Sequence, residues 1–256
     1  MIRHRRGSRI VLVRRLSAIF FDVDDTLYST TGFAQLARQR AVEAMVSTGL
    51  RLPVDVVRRE LDEVIAEFSS NYPNHFDKLL LRLPDEAWRG TNRGLIIAAG
   101  VMAYHDTKAE LHPFPDVLPV LEALATQTDL LLGIVTHGLE IKQAEKLLRL
   151  GVLPYIDPEA IFISDQVGIS KPNPKLYTRA CGRFGLDPRE VMYVGDSPAH
   201  DIDPPNGLGM LTVRKLSANR YAQVASITEP THTIRAFTEL PPLLNEFHGL
   251  SLDVPS

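Results

Sequence analysis

The sequence predicts an α/β fold: a doubly wound, mostly parallel sheet interrupted by one all-helical insertion. Beyond Asp116, apolar strand runs alternate with helical stripes, the pattern of a parallel sheet with helices on both faces. Near the N-terminus, Ile19-Phe-Phe21 is an unbroken apolar run that reads as a strand buried on both faces. Between Ser29 and His112, by contrast, helical stripes follow one another and strands are hard to find. With 256 residues the chain suits one large domain, or a core with a smaller inserted one. A hydrophobic content of 45% and a charged content of 23% are those of a soluble globular protein.

Taken in order, residues 1–15 form the one basic segment, with Arg3, Arg5, Arg6, Arg9, Arg14 and Arg15. It is too short of apolar residues for a signal peptide or anchor, and reads as a disordered extension rather than a nucleic-acid or membrane contact or a presequence. The first strand ends in Asp22, Asp24, Asp25 and Thr26. Phe33, Leu36, Ala37, Ala41, Ala44 and Met45 then mark a helix closed by Gly49. Pro53 suits a first helical position, and Val54 to Phe68 continues at helical spacing. Ser69 to His75 is a polar turn, followed by helices over Phe76 to Leu83 and Thr91 to Lys108. The stiff Pro113-Phe-Pro115 closes the insertion.

The second part holds helices over Val117 to Thr126, Leu139 to Leu150 and Lys175 to Phe184. Its strands are Leu130 to Val135, Ile161 to Ile163, Val191 to Val194, Met210 to Val213 and an edge strand at Thr231 to Ile234. The chain thus divides into the 1–15 extension, a core of 16–29 and 113–247, and a helical insertion of 30–112.

Polar residues fall where these strands end, or just before a helix: Asp22 and Asp24, Thr136, Lys171, and Asp196 with Asp201. Loops at the carboxyl ends of parallel strands are where such sheets bind ligands. In extended backbone, residues two apart point the same way, so Asp22 and Asp24 can face one cavity. One can attack phosphorus, and the other can protonate a leaving oxygen and later take a proton from water. Lys171 supplies fixed positive charge, and Thr136 a hydroxyl beside backbone N–H groups for phosphate. Asp196 with Asp22 gives hard oxygen ligands suited to Mg²⁺. The bland alternative for the first cluster is a polar turn, where Asp and Thr are common caps.

DVDDT, the strand-end Thr136, Lys171-Pro172 and GDSPAHD together resemble the four ordered motifs of the haloacid dehalogenase (HAD) superfamily, over roughly Leu16 to Ile234. The helical insertion closed by HPFPDV resembles that superfamily's helical-cap subclass. SNYPNHF, AYHDTK and DDTLY resemble a branch that includes glyceraldehyde-3-phosphate phosphatases. The resemblance implies Asp22 as nucleophile and Asp24 as acid/base. It implies Asp196, Asp22 and the Asp24 carbonyl as Mg²⁺ ligands, with Asp201 supporting the metal's outer shell or Lys171. Two positions depart from the pattern. His137 stands where Asn is usual, and Pro204-Pro205 follow Asp201, tolerable if Asp203 caps a helix with the prolines in its first turn. In the cap, Asn71, His75, His105 and Lys108 are candidates to touch substrate.

The expected protein is therefore a Mg²⁺-dependent phosphatase acting on a small phosphorylated metabolite through an aspartyl-phosphate. A phosphomutase or dehalogenase of the same fold, or a silent binding protein, are the alternatives, and the substrate rests on pocket shape rather than on motifs. A formal charge of −3 gives no global case for nucleic acid, and no stretch is apolar enough to span a bilayer. Cys181, the single cysteine, excludes an internal disulfide and the usual Cys–His zinc sites, and points to a cytoplasmic setting and a core position. His4, His112, His232 and His248 read as surface or loop residues.

Overall fold

Strand β1 (Ala18–Phe21) is buried along its whole length, as its unbroken apolar run requires. In this computed structural model, which describes residues 15–69, 72–216 and 221–254, it sits at the centre of a six-stranded sheet. Its companions are β2 (Leu131–Thr136), β3 (Ile161–Ile163), β4 (Val191–Gly195), β5 (Leu211–Lys215) and β6 (His232–Ile234). The order is β3-β2-β1-β4-β5-β6 and every pairing is parallel. The chain builds outward from β1 on one side, then crosses to the other at β4. The carboxyl ends of β1, β2 and β4 therefore meet at the topological switch point. The register sets Phe21 beside Ile134 and Val194, so the residues that follow emerge together.

Gly133 shows how closely the central strands are packed. It pairs with Phe20, and a Cβ there would lie 2.4 Å from the Phe20 ring and 2.7 Å from the Ala160 carbonyl oxygen. On that side Phe20 meets Phe162 edge-on, in a cluster with Leu176, Tyr177, Cys181 and Tyr193. Cys181 is a core residue, its thiol pushed up to about 11 by burial, so it stays protonated.

The chain divides into two compact units. One, Thr30–Leu111, holds α1 (Thr30–Ser47), α2 (Val54–Phe68), α3 (His75–Arg82) and α4 (Arg93–Asp106), with no strand among its described residues. Its core is formed by Met45, Leu50, Leu61, Leu79 and Ile96. Helix α1 lies against α4, where Gly100 leaves room for the Met45 side chain. The other unit holds the sheet and, in order, α5 (Val117–Gln127), α6 (Glu140–Leu150), α7 (Ser164–Val167), α8 (Lys175–Arg183), α9 (Asp203–Gly207) and α10 (Leu240–His248). Among the described residues no helix is long and apolar enough to cross a membrane.

Several expectations need correction. Pro53 is the residue before α2 rather than its first turn, with extended ψ of 141°. Helix α4 ends at Asp106, and Lys108 lies in a following 3-10 turn. Prolines do open α9, but Asp203 does not cap it. Its carboxylate accepts from the backbone N–H groups of Ile227 and Thr228 and from the Thr228 hydroxyl, tying down a segment far along the chain. Strand β5 starts at Leu211 and runs on through Arg214 and Lys215, two residues past the expected end at Val213. The Lys215 ammonium sits 4.6 Å from the centre of the Phe114 ring, and Arg214 donates to the Tyr221 and Val224 carbonyls. His232 and His248 are not loop residues: His232 lies on β6 against Phe247, and His248 is buried at the end of α10. The basic extension, apart from Arg15, lies outside the described residues, as do His4 and Asn71.

Candidate active site

Directly after β1 the backbone leaves the sheet in a tight turn. Asp25 adopts φ of 54°, a left-handed conformation that Asp tolerates better than most residues, and Thr26 and Leu27 donate back to the Val23 carbonyl. This places Asp22 in the sheet's end, its N–H on the Val194 carbonyl at 2.9 Å, while Asp24 stands in the turn. Thr136 ends β2, and Asp196 follows β4. Lys171 arrives from the loop before α8.

The structure brings Asp22, Lys171, Asp196 and Asp201 together in a buried cluster. The Lys171 ammonium donates to Asp22 Oδ1 and Asp201 Oδ1, each at 2.7 Å, and to the Tyr193 hydroxyl. All three of its protons are used. The Tyr193 hydroxyl in turn donates a hydrogen bond to the Val135 carbonyl at 2.6 Å, which fixes the Lys171 end of the network to β2. Asp201 Oδ2 accepts from the Ser197 N–H at 2.9 Å. Gly195 makes this possible, because a Cβ there would come within 2.5 Å of the Asp201 Cβ and Cγ. Gly195→Ala should therefore push Asp201 off Lys171. A stability loss of about 1–3 kcal/mol, the scale for overpacking a filled site, is expected in chemical denaturation, with a matching fall in turnover. Unchanged stability and turnover would mean the Asp201 position is not set by this contact.

Burial pushes Asp22 up to about 7; Lys171 opposes the rise, and Asp201 and Asp24 add to it. Burial alone would lower Lys171, but Asp201 and Asp22 outweigh it and raise its pKa well above the ordinary value. Lys171 thus pairs directly with two of the buried carboxylates, Asp22 and Asp201, and these two with Asp196 offer oxygens within 4.8 Å of one another. This is the only such group of metal-capable side chains among the described residues. An all-carboxylate donor set of this size fits a small, hard divalent cation.

The Thr136 and Thr26 hydroxyls are fully buried and have no hydrogen-bond partner among the described residues. A buried hydroxyl without a partner is costly unless a ligand supplies one. His137 follows on the loop. Its Nδ1 pairs with the Ser170 hydroxyl at 2.7 Å, and its ring stacks on His200 with centroids 6.3 Å apart. Partial burial lowers the His137 pKa, Lys171 lowers it further, and Asp24 opposes both.

The expected acid/base, Asp24, has partners that the sequence pattern did not single out. Tyr28 donates to its Oδ1 at 2.7 Å, Gln143 Nε2 to its Oδ2 at 2.8 Å, and Lys146 Nζ to both at 2.6 and 2.8 Å. Gln143 and Lys146 are three apart on α6, hence on one helix face. Of the remaining candidates, His75, His105 and Lys108 belong to the helical unit. His75 opens α3, bonds the Ser69 carbonyl through Nε2 at 2.7 Å and meets the Tyr72 ring edge-on. His105 lies near the end of α4 with its ring against Tyr104.

Paired carboxylates, a buried lysine and a hard-ligand cluster at the switch point of a doubly wound sheet define a class. Residues 16–209 match the haloacid dehalogenase-like hydrolase family, and the chain belongs to that family. Within it, the chain is a phosphoric monoester hydrolase. It is 45% identical over 202 residues to a glyceraldehyde 3-phosphate phosphatase of Methanopyrus kandleri, across 78% of this chain and 83% of the relative. To the glyceraldehyde 3-phosphate phosphatase of Pyrococcus furiosus it is 39% identical over 236 residues, across 91% and 93%. The crystal structure of a HAD phosphatase from Thermococcus onnurineus superposes with a TM-score of 0.62 at 26% identity, over 90% of this chain and 98% of that one. The family resemblance and the doubly wound sheet read from the sequence are both borne out.

Proposed function

We propose that this enzyme is a Mg²⁺-dependent phosphatase of small phosphorylated metabolites, with glyceraldehyde 3-phosphate the first substrate to test. The observation that carries the reading is the buried cluster of Asp22, Asp196 and Asp201, with Lys171 paired to Asp22 and Asp201, at the strand ends where the buried Thr136 hydroxyl has no partner among the described residues. In the first half-reaction an Asp22 oxygen attacks phosphorus, the ester P–O bond breaks, and Asp24 gives its proton to the leaving oxygen. In the second, Asp24 takes a proton from water as that water attacks phosphorus, breaking the Asp22–phosphorus bond and releasing phosphate. Thr136 donates to a phosphate oxygen, and Lys171 holds Asp22 and Asp201 in place. Mg²⁺, held by Asp22, Asp196 and the Asp24 carbonyl with Asp201 behind them, would supply the positive charge that lets a carboxylate approach a phosphate dianion. The substrate is inferred from the two relatives' names.

The helical unit serves, on this reading, as a cap that selects the leaving group, with Asn71, His75, His105 and Lys108 as candidate contacts. A lid of this kind suits short metabolites and excludes phosphopeptides. The single buried cysteine suits a reducing, cytoplasmic setting.

A panel of phosphate esters assayed with Mg²⁺ and with EDTA tests the reading. Triose phosphates should be hydrolysed, EDTA should abolish turnover and Mg²⁺ restore it. Full turnover in metal-free enzyme would remove the metal from the scheme, and efficient phosphopeptide hydrolysis would remove the lid. His75→Ala and Lys108→Ala should shift preference among metabolites more than they change p-nitrophenyl phosphate hydrolysis.

A further inference from the structure

Asp24 has to reach the leaving oxygen in one half-reaction and the attacking water in the other. Its side chain stands in a turn and is 30% exposed. Donors hold both of its oxygens. Four contacts from three side chains occupy its two oxygens, with Lys146 Nζ bridging both. The donors themselves are anchored. Gln143 also donates to the His137 carbonyl at 2.9 Å, which ties it to the loop after β2. Lys146 Nζ lies 5.8 Å from the centre of the Tyr28 ring, over buried aromatic surface. An ordinary surface ion pair has neither a shared carboxylate nor a second set of fixed donors. Here one helix face, through Gln143 and Lys146, meets the turn after β1 at the residue the chemistry needs.

We propose that Lys146, seconded by Gln143 and Tyr28, is the positioning residue for the Asp24 carboxylate. This rests on the phosphatase reading, in which Asp24 is the acid/base. In the acid step one Asp24 oxygen carries the proton and Lys146 keeps the other; without Lys146 the carboxyl group loses a partner that spans both oxygens and can rotate out of line with the leaving group. Misplacement by about an ångström is enough to cost on the order of 10²-fold.

The test compares Lys146→Met, Lys146→Arg, Asp24→Asn and the Asp24→Asn/Lys146→Met double variant. Each is assayed for kcat/KM, which reports phosphoryl transfer to Asp22, on an alkyl phosphate and on p-nitrophenyl phosphate. The alkyl ester has a poor leaving group and needs the proton; p-nitrophenolate scarcely does. Lys146→Met should lower kcat/KM for the alkyl ester roughly 10–100-fold and for p-nitrophenyl phosphate far less. Lys146→Arg should recover about tenfold of the alkyl loss, since a guanidinium can also bridge two carboxylate oxygens. The double variant should be no slower than Asp24→Asn alone. Equal loss on both esters, or losses that multiply in the double variant, would overturn the positioning role. If Asp24→Asn itself fails to distinguish the esters, the acid/base reading falls, and the positioning role with it. If Asp24→Asn does distinguish them and Lys146→Met does not, only the positioning role falls. Should Lys146→Met not fold, Gln143→Leu and Tyr28→Phe must show the same ester-dependent loss, and failure of both to do so overturns it.

Discussion

Asp22→Asn should abolish turnover, by on the order of 10⁶-fold, the scale seen when a covalent nucleophile is removed. The amide is nearly isosteric with the carboxylate but cannot form the phosphoryl bond. The fold should survive, because Lys171 keeps Asp201 as its anionic partner. Thermal stability in EDTA provides an independent check through proton linkage. Asp22 is raised by burial from 3.8 to about 7, so the folded state holds its proton more tightly than the unfolded chain. The wild-type contribution is therefore full below about pH 4 and is lost as pH rises through about 7. Asp22→Asn lacks this term, so its stability relative to wild type should improve between pH 5 and pH 8. Detectable wild-type turnover in Asp22→Asn would refute the nucleophile. A stability difference independent of pH would refute the raised Asp22.

Lys171→Met should have the largest effect on stability. Lys171 is buried and satisfies Asp22, Asp201 and Tyr193 at once, so its loss strands two carboxylates. Breaking a buried pair from one side costs about 3–5 kcal/mol, or roughly 6–20 °C in Tm for a chain of this size. The loss should be smaller at pH 5 than at pH 8, because a protonated Asp22 needs no counter-charge. Turnover should fall with it, since Asp22 is no longer held. A Tm within about 2 °C of wild type in EDTA would show that the pairing carries little of the fold's stability.

The sheet and most of the acidic cluster were legible because carboxylates and a lysine at the ends of apolar runs conflict with local burial, and that conflict shows in one dimension. Gln143 and Lys146 present no such conflict. Both are polar residues of an amphipathic helix, Gln143 buried on the same face as Leu147 and Leu150, and polar residues on a helix read as solvated in a sequence whether or not they are. Tyr193 was hidden in the opposite way, within the apolar run of β4, although a buried phenol always needs a partner. Helix α10 went unseen because Pro241 and Pro242 stand in its first turn and break the periodic pattern. The bonds from Asp203 to Ile227 and Thr228 join residues more than 20 positions apart, and no local rule anticipates them.

The central place of β1 in the sheet also sets the order in which a ribosome can complete this protein. The strand and Asp22 are made first, yet Lys171 lies 149 residues further on. At about 5–20 residues per second, Asp22 waits roughly 7–30 s after its own synthesis for its counter-cation. Neither edge of β1 has a strand to pair with until β2 has been made, well after the helical unit is complete at Leu111. A nascent chain halted before Lys171 would therefore present its nucleophile without the lysine that holds it, and the C-terminal half of the chain decides when the N-terminal carboxylate becomes an enzyme.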